Sequence, residues 1–269
     1  MTDTIVAEID EPIYTSRIIK ASALIADTRL LLSEWNLEKP VEENLARVQR
    51  QNIFGKASRR RVEDKLRIFR QRYFDDPEIG QTLVKLFQEN APSQWLDPLL
   101  YFFSAQNDRT LRDLVIEAIY PRQLSGYRDL QTDFLKRTIR QWISEGKTTT
   151  DWSEATVTRV ARNAQATLRD FGVLQGKANK YIAPIYLPTP AFALIAHWLQ
   201  GKLHSGNMVL HSEDWQLFFL PVDGVERFFI EAHQEHLLSY YAAGSVIRLE
   251  FSQETLPDYA QFLLERYQS

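Results

Sequence analysis

Apolar residues recur every three or four positions through most of the first half of the chain, which is the pattern of amphipathic helices. The segment YTSRIIKASALIADTRLLLSEW, residues 14–35, predicts one continuous helix that starts at Thr15 or Ser16. A later helix is predicted after Ser58, a residue type favoured at helix N-caps. Its apolar stripe steps by four, three and four positions through Val62, Leu66, Phe69 and Tyr73. We expect an α-helical bundle that ends near Pro121.

The pattern changes in the second half. A helix through LQTDFLKRTIRQWI is followed by a polar turn and a second helix in DWSEATVTRVARNAQATLRDFGVL, where Asp151 and Glu154 have the spacing of a capping box. Two short β-prone runs then flank Gly176 and Asn179, which predicts a hairpin. Helix, turn, basic helix and hairpin is the order of a winged helix, whose second helix enters the major groove of DNA.

The remainder mixes helices with the strand-like AAGSVIRLEF and a closing helix through TLPDYAQFLLERYQ. The expected fold is therefore mainly α, with an N-terminal helical bundle and a C-terminal winged-helix-like domain carrying small β-hairpins. Because 269 residues exceed the usual size of a single core, we expect two domains, residues 1–125 and 126–269. Helical spacing predicts core positions for the aromatic residues Trp35, Trp142, Trp152 and Trp215.

Composition narrows the class of protein. The chain has no cysteine, which excludes disulfides and thiolate metal sites. Its most apolar stretches, AFALIAHWL and PLLYFF, are much shorter than the roughly 18 residues that span a bilayer. The acidic start MTDTIVAEIDEP is unlike a signal peptide. We expect a cytoplasmic protein without a membrane segment.

The formal net charge of −3 conceals an uneven distribution. Residues 50–73, the first basic zone, hold nine Lys or Arg against two acidic residues, and residues 136–181, the second basic zone, hold nine against four. Residues 211–269, the acidic region, hold ten Asp or Glu against three Arg. Such local fields can attract charged partners even when the total charge is small.

A rotation of 100° per residue places the cations of both zones away from the apolar stripes. Arg60 and Arg67 lie opposite the stripe of their helix, while Arg61, Lys65 and Arg72 follow one flank, so all are expected to face outward. The hairpin tip carries Lys177 and Lys180. The candidate contacts to double-stranded DNA are Lys56, Ser58, Arg59, Arg60, Arg61, Lys65, Arg67, Arg159, Arg162, Asn163, Arg169, Lys177 and Lys180.

Three consecutive arginines, Arg59 to Arg61, occupy the first turn of a predicted helix, where the positive end of the helix dipole and mutual repulsion oppose them. A bound anion such as a DNA phosphate would reverse that local field. The alternative is that the arginines pair with the acidic region, within the molecule or across a dimer, or with an acidic partner protein. Both interpretations remain open at this point.

Catalytic motifs are incomplete. The segment FGKAS lacks the glycine and the hydroxyl residue that a phosphate-binding loop needs at Arg50 and Ala57. In HQEH, His233 and His236 lack the H-E-x-x-H order of a metal pair, and Ser245 lacks the G-x-S-x-G frame of a nucleophile. We expect no catalytic residues, no metal and no cofactor.

Four segments together resemble the BrxA family of bacterial BREX phage-resistance systems: YTSRIIKASALIADTRLLL, NIFGKASRRRVEDKLRIFRQRY, LRDFGVLQGKANKYIAPIYLP and YAAGSVIRLEF. The resemblance implies a DNA-binding accessory protein of the cytoplasm that works beside other BREX components, with no catalytic residues to carry over. We therefore expect a non-enzymatic protein that binds double-stranded DNA. The alternative is an interaction scaffold whose basic helices pair with acidic surfaces of the defence complex.

Overall fold

The computed structural model describes residues 13–20, 22–55, 58–183, 185–244 and 246–268. A short 3-10 helix, Ser16–Lys20, comes first, and two π-helical segments, Arg70–Phe74 and Leu114–Ile119, extend α3 and join α6 to α7. The α-helices of this first part are α1 (Ile25–Ser33), α2 (Val41–Gln51), α3 (Arg59–Phe69), α4 (Pro77–Gln88), α5 (Ser93–Gln106), α6 (Arg109–Asp113) and α7 (Tyr120–Leu124). The predicted α-helical character of the first half is confirmed.

The expectation of one helix over residues 14–35 is wrong, because the chain turns between the 3-10 helix and α1. Leu24 has a left-handed backbone with φ of 54°. The guanidinium of Arg72 donates to the carbonyl oxygens of Ser22 and Ala23, at 3.0 and 3.4 Å. These two carbonyl oxygens therefore accept hydrogen bonds from a buried cation of a distant helix and not from the backbone N–H groups of an α-helix. The local periodicity of the sequence gives no information about such a distant donor.

The second part begins with the expected helix, helix and hairpin. These elements are α8 (Thr132–Ser144), α9 (Glu154–Asp170), β1 (Leu174–Gln175) and β2 (Tyr181–Ile182). The two strands are antiparallel, and an additional antiparallel bridge pairs Tyr181 of β2 with Asp129, just before α8. The outcome is a miniature three-stranded arrangement at the base of the hairpin.

The chain then forms α10 (Thr189–Leu203), α11 (Gly206–Leu210), a 3-10 helix (Glu213–Phe218), α12 (Val222–Gln234), β3 (Ser239–Ala243), β4 (Val246–Glu250) and α13 (Leu256–Gln268). The strands β3 and β4 form the second antiparallel hairpin. Its β4 backbone approaches α11 so closely that a Cβ on Gly206 would lie 2.6 Å from the carbonyl oxygen of Ile247. The mainly α fold with small hairpins is confirmed.

The buried residues form one hydrophobic cluster that runs through both parts of the chain. Packing crosses residue 125 where α13 lies against α4, where α10 lies against α5, and where α9 lies against the first 3-10 helix. The core positions predicted for Trp35, Trp142, Trp152 and Trp215 are confirmed, since each is less than a tenth exposed. The division into residues 1–125 and 126–269 stays a prediction.

Candidate nucleic-acid interface

Helix α9 has one buried face and one open basic face. The buried residues include Val157, Ala161, Ala164 and Leu168, as their spacing predicts. Arg159 and Arg162 lie on the opposite, exposed face, and their guanidinium groups make no hydrogen bond or ion pair with any residue that the structure describes. Ala155 and Ala166 share this face by helical geometry, so little side-chain bulk lies between the arginines. The guanidinium groups are accessible to an anionic surface.

The neighbours of these arginines are partly engaged. Asn163 is half-buried and donates from Nδ2 to the carbonyl oxygen of Arg159, at 2.8 Å. Arg169 is exposed and pairs with Asp170 at 2.8 Å. The helix thus brings Arg159, Arg162, Asn163 and Arg169 to one side of α9. The side chains of Asn163 and Arg169 already make local contacts.

The capping box expected at the start of α9 is wrong. The N-cap is Ser153, whose hydroxyl accepts from the backbone N–H of Thr156 at 3.3 Å. Glu154 instead receives two hydrogen bonds from Arg140 of α8, at 2.7 and 2.9 Å. This ion pair lowers the pKa of Glu154, chiefly through the hydrogen bond from Arg140. It ties the two helices together at the turn between them.

The hairpin that follows α9 depends on Gly176. Its φ of +93° favours glycine, and a Cβ there would lie 2.0 Å from the carbonyl oxygen of Asn179. Lys177 is exposed at this turn, as expected. Lys180 is only half-exposed because its ammonium donates to the carbonyl oxygens of Gly176 and Lys177, the former at 2.9 Å. At the tip, the ammonium of Lys177 is thus the one that contacts no residue in the described part of the chain.

Helix α3 begins after Ser58, at the N-cap position that the sequence predicts, but the Ser58 side chain makes no capping hydrogen bond. The side chains of Arg60 and Arg61 are exposed and bond to no described residue. Arg59 and Arg67 are also exposed, and they pair within the helix with Glu63, at 3.1 Å, and with Asp64. Lys56 lies outside the described residues. The arginine run is thus a solvent-facing surface on which the guanidinium groups of Arg60 and Arg61 have no partner among the described residues.

Two cations of the first basic zone do not face outward, which corrects the expectation for Lys65 and Arg72. Lys65 pairs with Asp27 of α1, and its side chain is only 18% exposed. Burial lowers the pKa of its ammonium. Arg72 is 5% exposed and holds the carbonyls described above. Both side chains instead contact other segments, Lys65 on α1 and Arg72 on the chain just before α1.

Sequence reasoning missed Lys20. This exposed residue ends the first 3-10 helix and lines the same shallow groove as Arg60 and Arg67. Glu63 and Asp64 also line this groove, so Lys20 adds a third cation beside two carboxylates, from a 3-10 helix that packs on α9. No local pattern near Lys20 indicates this position, since it results from long-range packing.

The acidic region uses part of its charge inside the molecule. Asp214 accepts from Arg112 of α6 at 2.8 Å and from Gln106 at 2.8 Å. Among the described residues, no ion pair joins the acidic region to the first basic zone. The alternative in which the arginine run pairs with the acidic region within one molecule therefore finds no contact in the described part of the chain.

The remaining candidate sites from the sequence are the histidine pair of HQEH, Ser245 and the apolar stretches. His233 accepts a hydrogen bond at Nδ1 from the backbone N–H of Tyr240, at 3.3 Å. Within the described ranges, no group of three or more His, Asp or Glu side chains is arranged to hold a metal ion. Ser245 is outside the described residues. Of the helices described, none combines the length and the apolar character needed to cross a membrane.

Comparison with known proteins identifies the family. The BrxA family matches residues 12–198, which include α3, the α8–α9 pair and the first hairpin. The segment YAAGSVIRLEF lies beyond the matched residues. No curated protein matches the chain. The match covers more than half of the sequence, so the chain belongs to the BrxA family and is a component of a BREX phage-defence system.

Proposed function

We propose that this protein is a non-enzymatic accessory of its BREX system that binds double-stranded DNA. The observation that carries the proposal is the open face of α9, where Arg159 and Arg162 are exposed and unpaired among the described residues. Exposed, uncompensated arginines on one helix face are the electrostatic footprint of phosphate and base-edge recognition. No cofactor is required for this role.

The surrounding elements support a winged-helix-like mode of binding. The order of α8, α9 and the β1–β2 hairpin, with a third strand position at Asp129, is the order of such a module. In this mode α9 would enter the major groove and the hairpin would follow the backbone, where Lys177 meets a phosphate. Helix α3 and Lys20 would then extend the contact through Arg60 and Arg61.

A salt titration of duplex binding tests the proposal. Each phosphate neutralised contributes about −0.9 to the slope of log K against log salt, so six contacts give roughly −5. The double variant Arg159→Gln/Arg162→Gln should bind all duplexes more weakly, with a slope shallower by about one per lost contact. Its matched control is Arg227→Gln, which removes an exposed arginine from α12 in the acidic region.

The results divide clearly. Duplex binding through α9 is supported if the salt dependence is steep, if the α9 variant reduces it, and if the α12 variant leaves it unchanged. A flat salt response, or no retardation of duplex at low salt, removes the proposal. If the α9 variant weakens only certain sequences, base edges are read as well, and each lost bidentate contact should cost about 1–3 kcal/mol.

A second candidate function is an interaction scaffold for other BREX components, which family membership suggests as partners. The observation that favours it is the outer face of the β3–β4 hairpin, where Tyr241 is 52% and Val246 is 67% exposed. Exposed apolar side chains of this size commonly mark protein interaction surfaces. A scaffold without duplex affinity would show the flat salt response described above.

A further inference from the structure

Aromatic side chains divide into two groups in this fold. The tryptophans discussed above are buried, whereas two tyrosines beside the first hairpin are open to solvent, Tyr127 at 57% and Tyr181 at 48% exposed. A large exposed ring gains nothing from the core and offers an apolar surface to a partner. The side chains and charges around these two rings determine which partner they can bind.

The two tyrosines lie near the strand position at Asp129, Tyr181 as its bridge partner and Tyr127 two residues before it. The inner face of the miniature sheet carries the buried residues Leu130, Leu174 and Ile182. Alternation along a strand then places Tyr181 on the outer face, together with Asp129, which pairs with it across the bridge. The Arg122 guanidinium contacts both the Tyr127 ring and the Asp129 carboxylate, and from this shared contact we infer that Tyr127 lies on the Asp129 side, beside Tyr181. We call Tyr127 and Tyr181 the tyrosine face.

Arg122 fixes one side of this face. Its guanidinium lies 4.9 Å from the ring centre of Tyr127 and 4.7 Å from that of Phe134. Two hydrogen bonds to Asp129 hold the guanidinium, one to the carbonyl oxygen at 2.6 Å and one to Oδ1 at 2.7 Å. Because Arg122 is anchored, the Tyr127 ring is supported from beneath while more than half of the residue remains exposed.

Tyr181 is supported in a similar way by the hairpin turn. Its Cδ2 lies 3.4 Å from the position that a Cβ on Gly176 would occupy, so the ring lies close to the backbone at the turn. The residue as a whole is 48% exposed. Both rings are thus positioned before any ligand binds, which reduces the entropy lost on association.

The segments that carry the tyrosine face have a net positive charge, although Arg122 and Lys136 pair with Asp129 and Asp133. Residues 122–137 and 175–182 contain six Lys or Arg and two Asp: Arg122, Arg128, Asp129, Asp133, Lys136, Arg137, Lys177 and Lys180. Arg128 is exposed and bonds through its side chain to no described residue. Exposed aromatic rings among cations are the combination that stacks bases of single strands and attracts their phosphates.

We propose that the tyrosine face stacks unpaired bases next to a duplex held by α9 and the hairpin, so that the preferred substrate is duplex DNA with a single-stranded extension. The inference rests on the proposed function, because the duplex contact places the extension. It adds a substrate class to that function. Base pairs inside a duplex cannot stack on the tyrosine rings, because both of their faces already contact neighbouring base pairs.

The test compares three probes: a short blunt duplex, the same duplex with an oligothymidine overhang, and the single strand alone. The wild-type protein should bind the overhang duplex at least about tenfold more tightly than the blunt duplex, which corresponds to the stacking of one base, and a second stacked base should increase the preference further. The variant Tyr127→Ala/Tyr181→Ala should lose this preference and keep its affinity for the blunt duplex. The variant Tyr127→Phe/Tyr181→Phe keeps both rings and should keep the preference.

Two controls separate the alternatives. Tyr241→Ala removes an exposed tyrosine from the other hairpin and should change neither affinity. An overhang base replaced by 2-aminopurine should lose fluorescence on binding to the wild-type protein and not to the alanine variant, because stacking quenches this base. Equal affinity of the wild-type protein for blunt and overhang duplexes, or a preference that the alanine variant retains, overturns the inference.

The two proposals fail in different ways. If the wild-type protein binds no blunt duplex, the proposed function is wrong, and single-strand binding that depends on both tyrosines would still support the tyrosine face. If the blunt duplex binds with steep salt dependence and the overhang adds nothing, the proposed function stands and the tyrosine face does not stack bases.

Discussion

At the scale of single residues, identical arginines have opposite roles in one short segment. Arg60 and Arg61 face solvent without a described partner, whereas Arg72, on the extension of the same helix, is buried against Ser22 and Ala23. The rotation rule predicts which residues lie opposite an apolar stripe, and it succeeds for Arg60. It gives no information about which flank another segment covers, so it fails for Arg72.

This contrast gives a prediction for the arginine run. Replacement of Arg60 and Arg61 by glutamine should hold or slightly raise the melting temperature, because two cations leave the positive end of the α3 dipole and no described ion pair is lost. Duplex binding should weaken, with a salt slope shallower by about one per lost phosphate contact. Both quantities are measured on the same preparation.

The matched comparison is Arg72→Gln, which should lower the melting temperature because it leaves buried carbonyls without their cationic donor. If the Arg60→Gln/Arg61→Gln variant also melts markedly earlier and its salt slope is unchanged, the arginine run stabilises the fold and does not contact DNA.

At the scale of elements, His197 joins α10 to the segment that leads into α13. It is 9% exposed, its Nε2 lies 3.0 Å from the carbonyl oxygen of Gln253, and its ring stacks on Tyr259 at 4.8 Å. Burial lowers the pKa of this imidazole from its ordinary value of 6.5, although the hydrogen bond to Gln253 and the charge of Glu78 oppose the effect. The neutral ring, with its proton on Nε2, is the form that the fold accommodates.

We predict that His197 contributes to the loss of stability in mild acid. A folded pKa below the unfolded value of about 6.5 means that the unfolded chain binds the proton first, so stability is complete above this pH and falls as the pH decreases toward the folded pKa. His197→Gln retains a donor for Gln253 and cannot titrate. Thermal melts at neutral pH and near pH 5.5 should therefore show a smaller acid-induced decrease for the variant. An equal decrease in both proteins would assign the effect to other groups.

At the scale of the whole molecule, the closing helix α13 binds the two parts together. It packs on α4, Tyr267 meets the ring of Trp95 of α5 edge to face at 5.1 Å, and the N–H of Leu256 donates to Glu78 at 3.2 Å. These contacts connect the last residues of the chain with the first half. They lead us to expect that the two halves unfold together.

A core substitution in α13 tests this expectation. Leu263 is fully buried, and Leu263→Ala should destabilise the protein by about 2–5 kcal/mol through lost apolar contact and an unfilled cavity. In calorimetry the variant should keep a single transition, with equal van't Hoff and calorimetric enthalpies. Two transitions, only one of them shifted, would instead indicate independent domains on either side of residue 125. The exposed neighbour Glu265→Ala is the control and should have little effect.

The sequence by itself determined the features that depend on local period and local charge. Stripes such as Val62, Leu66 and Phe69 gave the helices and their buried faces, Gly176 and Asn179 gave the hairpin, and Arg60, Arg159 and Arg162 were correctly placed on exposed faces. These features follow from the 100° rotation of a helix and from the backbone freedom of glycine, which each segment carries alone.

The tertiary structure alone decided where separate segments meet. The first predicted helix is interrupted at the carbonyl groups that accept from Arg72. Glu154 accepts from Arg140 and forms no capping box, and Lys65 pairs with Asp27. The tyrosine face likewise exists only because the strand position at Asp129 pairs with Tyr181 across about fifty residues of chain. In each case the deciding partner is distant in sequence, and a long-range contact of this kind leaves no periodic signal in either segment.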